Sequence, residues 1–257
     1  MPQPSVVAYG CRAGRALRFI GSQPMSIHAT KTTAHPVSRN EIFVSGAYVE
    51  QFNPEAAANP FRADYEAKRK WVVESVAGRG KHVLDVGGAM GRMAIPLAHR
   101  HDVTLCDLSE RMLKLARHSS DVHLRLAVGD VTALPFADGC FDWALCIDVL
   151  PHVAEPRTAF GEIRRVLRPG GKVIVDSTNS QPLWTLAYPG YLGRRPSRWW
   201  KIWRSGGVLP EWTARVRHMR FDEFRNGLVA AGFKITSRRA FGPGFCPKWH
   251  ALVAEAV

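Results

Sequence analysis

A glycine-rich segment directly after a short apolar run is the feature that most constrains the fold of this chain. The run at 82–86 is typical of a buried strand, and Gly87, Gly88 and Gly91 follow it at the start of a predicted helix that ends at Ala98. Glycines in such a turn let the backbone approach a ligand closely, because no Cβ stands in the way. A strand, a glycine loop and a helix in this order predict a βαβ unit with a ligand site at its turn.

Strands and helices alternate from this point onward. Apolar segments predict strands at 82–86, 103–106, 122–128, 141–147 and 172–175, and a helix at 221–231 precedes strands at 233–237 and 250–254. Helices between strands make parallel crossovers, whereas the last two predicted strands follow each other directly and form a hairpin. The sequence therefore predicts an α/β fold, a Rossmann-like doubly wound sheet of about seven mostly parallel strands with the last strand antiparallel.

Carboxylates stand at the ends of the first four predicted strands. They are Asp85, Asp107, Asp130 and Asp148, each about 20 residues, or one βα unit, from the next. Ligands of open α/β sheets bind at this edge, although aspartate also caps helices and begins turns there. The chain as a whole carries a net charge of +13, so a rim of acid is specific enough to favour a cationic ligand with hydroxyls and an amine.

The glycine loop itself argues against a dinucleotide. Asp85 stands two residues before Gly87, where its charge would oppose a pyrophosphate, and Ala89 interrupts the G-x-G-x-x-G pattern. S-adenosylmethionine (SAM) has no phosphate and carries an ammonium and a sulfonium, so the acid suits it. A nicotinamide oxidoreductase is correspondingly disfavoured.

Seven short motifs between residues 80 and 176 occur in a characteristic order. They are Leu84-Asp85-Val86-Gly87-Gly88-Ala89-Met90-Gly91, Cys106-Asp107-Leu108-Ser109-Glu110-Arg111-Met112-Leu113, Gly129-Asp130-Val131, Leu134-Pro135-Phe136, Phe141-Asp142, Asp148-Val149-Leu150-Pro151-His152-Val153 and Val166-Leu167-Arg168-Pro169-Gly170-Gly171. In this order and spacing they resemble the core of class I SAM-dependent methyltransferases, especially the subfamily that includes the ubiquinone and menaquinone methylases.

The resemblance implies a role for each acid. Asp85 would hold the methionyl ammonium, directly or through water, and Asp107 would bind both ribose hydroxyls. Asp130, with the backbone of Val131, would address the adenine, and Asp148 or its neighbours would line the methionine end. The residues assigned to SAM, and to its product S-adenosylhomocysteine (SAH), are Asp85, Gly87, Gly88, Ala89, Gly91, Asp107, Leu108, Met112, Asp130, Val131 and Asp148.

Ala89 departs from the family, which usually has glycine at this position. Its methyl group would crowd the ribose if the backbone there requires a positive φ.

His152 is the candidate catalytic residue. Methyl transfer mainly requires that the nucleophile be positioned, and a general base is optional. His152 follows the fourth predicted strand, where an acceptor would meet the methyl group; equally, it is interpreted as a helix-start histidine bonded to nearby backbone. No metal is expected.

The segment 178–217 interrupts the alternation and is interpreted as an insertion. It holds four prolines and five tryptophans among many arginines, and Trp184, Tyr188 and Tyr191 are candidates to wall an apolar acceptor pocket. The favoured interpretation of this segment is a lid packed on the domain. A lid with peripheral membrane contact through 190–206 is the second interpretation, and an RNA-binding surface is the third.

Residues 1–40 contain no acidic residue and are read as a basic, disordered tail that precedes a methyltransferase domain at 41–257. A transit peptide and a true start at Met25 are alternatives. The five cysteines are scattered, without zinc spacing, which indicates a reducing compartment and hence the cytoplasm, with membrane contact as an option.

The expected function is methyl transfer from SAM to a small-molecule acceptor that is lipid-like, quinone-like or a secondary metabolite. An RNA methyltransferase and a non-catalytic SAM-binding scaffold or regulator are the alternatives. The surplus of 35 Lys and Arg over 22 Asp and Glu fits an anionic partner and equally an Arg-rich genome, so nucleic acid is not the expected partner.

Overall fold

The computed structural model describes residues 62–178, 219–242, 247 and 249–257. The strands there are β1 (His82–Val86), β2 (Asp102–Asp107), β3 (Arg125–Val128), β4 (Phe141–Cys146), β5 (Leu167–Thr178), β6 (Phe233–Phe241) and β7 (Trp249–Ala256). The helices there are α1 (Arg62–Ser75), α2 (Ala94–Ala98), α3 (Glu110–His118), α4 (Pro156–Val166) and α5 (Phe221–Ala230), with a 3₁₀ turn at Leu150–His152.

These strands form one seven-stranded sheet in the order β3-β2-β1-β4-β5-β7-β6. β7 runs antiparallel to its neighbours β5 and β6, and the other six strands share one direction. The predicted fold class is therefore confirmed. The strand order reverses between β1 and β4, so the carboxyl ends of β1, β2 and β4 border the crevice in which ligands of open α/β sheets bind.

The central strands are apolar and buried on both faces of the sheet. Leu84 on β1 and Ala144 on β4 belong to the core on one face, and Val83 and Leu145 belong to the core on the other face. Strands covered by helices on both sides read as continuous apolar runs, which is why the sequence predicts them well.

The hairpin of β6 and β7 brings the start of β7 to the carboxyl edge of β5. Trp249 pairs with Thr178, the last residue of β5, because β7 is antiparallel to β5. An aromatic residue distant in sequence thereby lies at the same edge of the sheet as the strand-end acids.

Helix α1 packs over this edge. Trp71 contacts Phe241 edge-on with ring centroids 5.7 Å apart, and Tyr65 and Val72 on α1 are buried. Lys68 is also fully buried on α1. Lys68 is not among the residues to which the sequence assigns a role.

Some predicted boundaries were wrong. The third strand begins at Arg125 rather than at 122, and the helix after the glycine loop begins at Ala94 rather than at Gly91. The strand at 172–175 extends to Leu167–Thr178, because it pairs with β7 as well as with β4.

Two predicted segments lie outside the described residues. These are the basic tail at 1–40 and the lid at 178–217, apart from Thr178, which ends β5. Among the described helices none combines the length and the apolar character that crossing a bilayer requires.

Candidate active site

The loop between β1 and α2 turns through three residues with positive φ. These are Gly87 at 66°, Ala89 at 48° and Gly91 at 76°. Gly88 between them is constrained by space: a Cβ there would lie 2.5 Å from Asp85 Oδ2 and would also overlap Leu105 Cδ1. The loop therefore follows its path only while residue 88 has no side chain.

Asp85 lies beneath this loop and is almost entirely buried, with 1% of its surface exposed. Its Oδ2 accepts no hydrogen bond from the described residues. Burial raises the pKa of Asp85 to about 7, the Ala94 backbone N–H lowers it, and Asp107 raises it. A buried carboxylate oxygen without a donor costs free energy, and a ligand ammonium would supply the missing donor.

Asp107 ends β2 and connects the loop to helix α3. Its Oδ2 accepts a hydrogen bond from the Ala89 backbone N–H at 2.9 Å, and its Oδ1 accepts one from the Ser109 backbone N–H at 2.8 Å. Burial raises the pKa of Asp107, and these two donors lower it. A carboxylate has about four acceptor positions, so two remain for a pair of vicinal hydroxyls.

The positive φ of Ala89 has a visible reason. The turn directs the Ala89 N–H at Asp107, and a left-handed backbone is the conformation in which this occurs. The sequence predicts that the Ala89 methyl group crowds a ribose if the backbone at Ala89 has a positive φ, and the structure has this positive φ.

Asp130 lies two residues after the end of β3, the strand next to β2 in the sheet. Its Oδ1 accepts hydrogen bonds from the backbone N–H and the side-chain Oγ1 of Thr132, each at 2.8 Å. The Gly129 N–H donates to the Asp107 backbone oxygen at 3.1 Å, which joins the two strand ends. Val131 is buried beside them.

Leu108 and Met112 belong to the entry into α3. Ser109 caps this helix, since its Oγ accepts from the Met112 N–H at 3.4 Å. Met112 is buried, and Leu108 is partly exposed next to Asp107. The structure thus brings the candidates from the loop, β2 and β3 to one edge of the sheet.

Asp148 has a different kind of environment from the other three acids. It has a positive φ of 60°, and its N–H donates to Asp176 Oδ1 at 2.7 Å. Its own Oδ1 accepts from Lys68 Nζ at 2.7 Å. The next residue, Val149, is so close to Gly87 that a Cβ on Gly87 would overlap it. Asp148 therefore lies next to the glycine loop.

Lys68 and Asp176 were missed by the sequence analysis. Lys68 Nζ lies 2.6 Å from Asp176 Oδ2, and the side chains of both residues are buried. Burial lowers the pKa of Lys68, but Asp148 and Asp176 together raise it well above its usual value. Burial raises the pKa of Asp176 to about 6, against the lowering effect of Lys68.

A signal for both residues was present in the sequence. Lys68 stands on the apolar side of α1, between Tyr65 and Val72 at helical spacing. Asp176 directly follows the apolar run 173–175 and continues the series of strand-end acids.

His152 ends the 3₁₀ turn, and its backbone N–H donates to the Val149 oxygen at 2.9 Å. Its catalytic role and its structural role both stay predictions. Trp184, Tyr188 and Tyr191 lie outside the described residues. Within the described ranges no group of three or more His, Cys, Asp or Glu side chains is arranged to hold a metal ion.

Comparisons with known proteins point to one class. The profile of a family described as a methyltransferase domain matches residues 84–175. The ubiquinone biosynthesis O-methyltransferase of Alkalilimnicola ehrlichii is 30% identical over 165 residues, which are 62% of this chain and 67% of that protein. The demethylmenaquinone methyltransferase of Paenarthrobacter aurescens is 37% identical over 134 residues, which are 49% of this chain and 52% of that protein.

A solved structure shares the fold. The magnesium protoporphyrin IX methyltransferase from Synechocystis PCC 6803, crystallised with SAH, has a TM-score of 0.63 and 18% identity, covering 85% of this chain and 98% of that one. The chain belongs to the class I SAM-dependent methyltransferases, in the subfamily that includes the ubiquinone and menaquinone methylases. It spans 67% and 52% of the length of the two curated relatives.

Proposed function

We propose that this chain is a methyltransferase that transfers a methyl group from SAM to a small-molecule acceptor of the quinone-related or secondary-metabolite kind. The observation that carries the proposal is Asp85, a buried carboxylate beneath the glycine loop whose Oδ2 has no donor among the described residues. A cationic ligand at this position relieves an otherwise unfavourable burial.

Different residues of the site are proposed to bind different parts of the cofactor. Asp85 takes the methionyl ammonium, and Asp107, fixed by two backbone donors, takes the ribose hydroxyls. Asp130 and Val131 face the adenine. Gly87, Gly88, Ala89, Gly91, Leu108 and Met112 form the surface against which the cofactor lies.

Bound SAM would supply an electrophilic methyl group to the acceptor's lone pair, with the sulfur of SAH as the leaving group. The protein's part is to orient the acceptor and accommodate its proton. His152, after β4, is proposed as the group that receives this proton. Trp184, Tyr188 and Tyr191 are proposed to wall the acceptor, on the strength of the sequence alone.

The names of the relatives support a small acceptor. One curated relative is named as an O-methyltransferase of ubiquinone biosynthesis and the other as a demethylmenaquinone methyltransferase. A further relative, 37% identical over 114 residues, is a Penicillium expansum O-methyltransferase.

Calorimetric titration with SAM, SAH and NADH tests the cofactor. SAM and SAH are expected to bind, and NADH is not. The substitution Asp107→Asn is expected to weaken the affinity for SAH by about tenfold or more, because charge-assisted hydrogen bonds are lost. Asp121→Asn, an exposed acid away from the rim, is the matched control. Binding of NADH without SAM would overturn the proposal.

Incubation with methyl-labelled SAM tests the acceptor. The label is expected in a reduced quinone or phenol from a metabolite panel. Transfer to RNA, with binding that falls steeply with salt, would establish the nucleic-acid alternative. SAM binding with no transfer to any substrate would favour a scaffold.

Peripheral membrane contact is proposed for residues 190–206, which lie outside the described residues. The support is tryptophan interleaved with arginine, a composition suited to the headgroup region. Liposome flotation with and without 190–206 tests it, and equal flotation of both forms would remove it. A cytoplasmic location is proposed from the thiols, since the buried Cys106 and Cys146 are in the reduced form.

A further inference from the structure

One lysine and two aspartates form a cluster beside the glycine loop, and of the three only Asp148 is assigned to the cofactor. Lys68 Nζ lies 2.7 Å from Asp148 Oδ1 and 2.6 Å from Asp176 Oδ2. The side chains of Lys68 and Asp176 are 0% and 1% exposed, whereas that of Asp148 is 32% exposed. The cluster therefore carries one excess negative charge when all three groups are ionised, and Asp148 is the member that reaches the surface.

Such a cluster is a poor device for stability. Removing the two charges of Lys68 and Asp176 from water is unfavourable, and apolar residues of similar volume are often as stable or more so. Helix α1 also has apolar anchors in Val72 and Trp71. Anchoring the helix does not require a buried lysine.

The contacts converge instead on the position of Asp148. Its left-handed backbone is an unfavourable conformation for a non-glycine residue. Its N–H is held by Asp176, and its Oδ1 is held by Lys68. Two contacts that hold one partly exposed residue in a strained backbone conformation indicate a carboxylate whose placement matters.

The surroundings of Asp148 indicate what it meets. On one side, Val149 contacts the glycine loop at Gly87. On the other side, Lys68 Nζ lies 4.6 Å from the ring centroid of Trp249 and 5.4 Å from that of Tyr65. The carboxylate is thus connected to the glycine loop through Val149 and to two aromatic rings through Lys68, and an acceptor hydroxyl bound to it would lie beside the loop.

We propose that Asp148 is the subsite for the hydroxyl of an aromatic acceptor, and that Lys68 and Asp176 are positioning residues that hold its carboxylate in place. Asp148 accepts the hydrogen bond of the hydroxyl and so determines which acceptor oxygen faces the methyl group. The inference rests on the proposed function and names the acceptor chemistry of that site.

The cluster predicts a dependence on pH. The titratable groups coupled to Asp176 are Lys68, Asp148 and, on β4, the buried Cys146 thiol, whose pKa is raised by burial. Burial places the pKa of Asp176 at about 6, so this group gains a proton as the pH falls from 7 to 5. Protonated Asp176 holds Lys68 and the Asp148 N–H less firmly, and the hydroxyl subsite weakens.

The test compares two probes that differ by one donor, 2-naphthol and 2-methoxynaphthalene, bound to the protein saturated with SAH. The wild type at pH 7.5 is expected to prefer 2-naphthol by about tenfold or more, as for a hydrogen bond to a charged acceptor. This preference is expected to fall as the pH is lowered to about 5, although 2-naphthol stays neutral throughout.

The variants separate positioning from folding. Lys68→Met with Asp176→Asn removes one charge of each sign, so no lone buried charge remains, and it is expected to bring the preference close to one. Asp148→Asn is expected to reduce the preference severalfold. Lys70→Met, an exposed lysine on the same helix, is the matched control and keeps the preference.

The outcomes are distinguishable from those of the proposed function. Failure of the wild type to bind SAH contradicts the proposed function. A wild type that binds SAH but prefers neither probe, or a double variant that binds SAH and keeps the preference, overturns the hydroxyl subsite. If the double variant does not fold, a wild-type preference that is unchanged between pH 7.5 and 5 overturns it as well.

Discussion

Gly88→Ala is the substitution that most directly tests the geometry of the cofactor loop. The new Cβ would lie 2.5 Å from Asp85 Oδ2 and 2.6 Å from its Cγ, about 1 Å closer than an ordinary contact. Leu105 Cδ1 on the other side is also in the way, and Leu105 is completely buried. Because neither neighbour has room to withdraw, either the carboxylate or the loop must move.

The cost follows from these two consequences. Overpacking of this kind destabilises a protein by about 1–3 kcal/mol, which for a domain of this size lowers Tm by roughly 2 to 12 °C. Displacing Asp85 removes a charge-assisted hydrogen bond to the ligand, worth about 1.5–3 kcal/mol, so SAH is expected to bind roughly 10- to 100-fold more weakly.

Calorimetry of SAH binding and a thermal melt measure both effects. Gly161→Ala is the matched control, because Gly161 lies in α4 and a Cβ there would meet nothing within 4 Å. The control is expected to match or exceed the wild-type Tm, since alanine is the better helix former. If Gly88→Ala kept both wild-type Tm and SAH affinity, the placement of Asp85 beneath the loop would be wrong.

Three further predictions concern the same site. Ala89→Gly removes a methyl group from a backbone at φ 48°, so SAH is expected to bind at least as tightly as to the wild type; weaker binding in calorimetry would contradict the strain at this position. Burial raises the pKa of Asp85 to about 7, so below that pH the carboxyl group of the free protein is protonated, and a ligand ammonium displaces this proton. SAH affinity should therefore rise between pH 5 and 7, by at most tenfold per unit, and Asp85→Asn should flatten this part of the profile. His152→Ala is expected to lower kcat about 10²- to 10⁴-fold with the acceptor found by label transfer while SAH affinity is retained, and full turnover would leave His152 only its structural role.

The fold could be predicted from the sequence because its signals are local. Apolar runs such as 141–147 are buried on both faces, and the absence of a helix between the last two strands predicts the antiparallel partner correctly. The boundary of β5 could not be predicted in this way. At its carboxyl end residues 176–178 are strand because β7 pairs with them, and this pairing joins segments more than 70 residues apart in sequence. At its amino end Leu167 pairs with Phe141 on β4.

The cofactor half of the site is local in the same sense. Asp85 and the loop that covers it are consecutive, and Asp107 contacts Ala89 from the neighbouring strand. The rule that ligands bind at the carboxyl ends of parallel strands is enough to bring such residues together. What the sequence does not show is the burial of Asp85, on which its raised pKa depends.

The acceptor half is assembled across much longer separations. Lys68 meets Asp148 and Asp176 over 80 and 108 residues, from a helix that precedes the sheet. A lysine on the apolar side of a helix is an inconsistency between local pattern and burial, and such inconsistencies concentrate where function competes with stability. The position of Lys68 on the apolar side of α1 indicates that it needs an acidic partner. Asp176, which follows the apolar run 173–175, is that partner in the structure. The residues proposed to orient the acceptor are therefore those at which the sequence departs from what the fold alone requires.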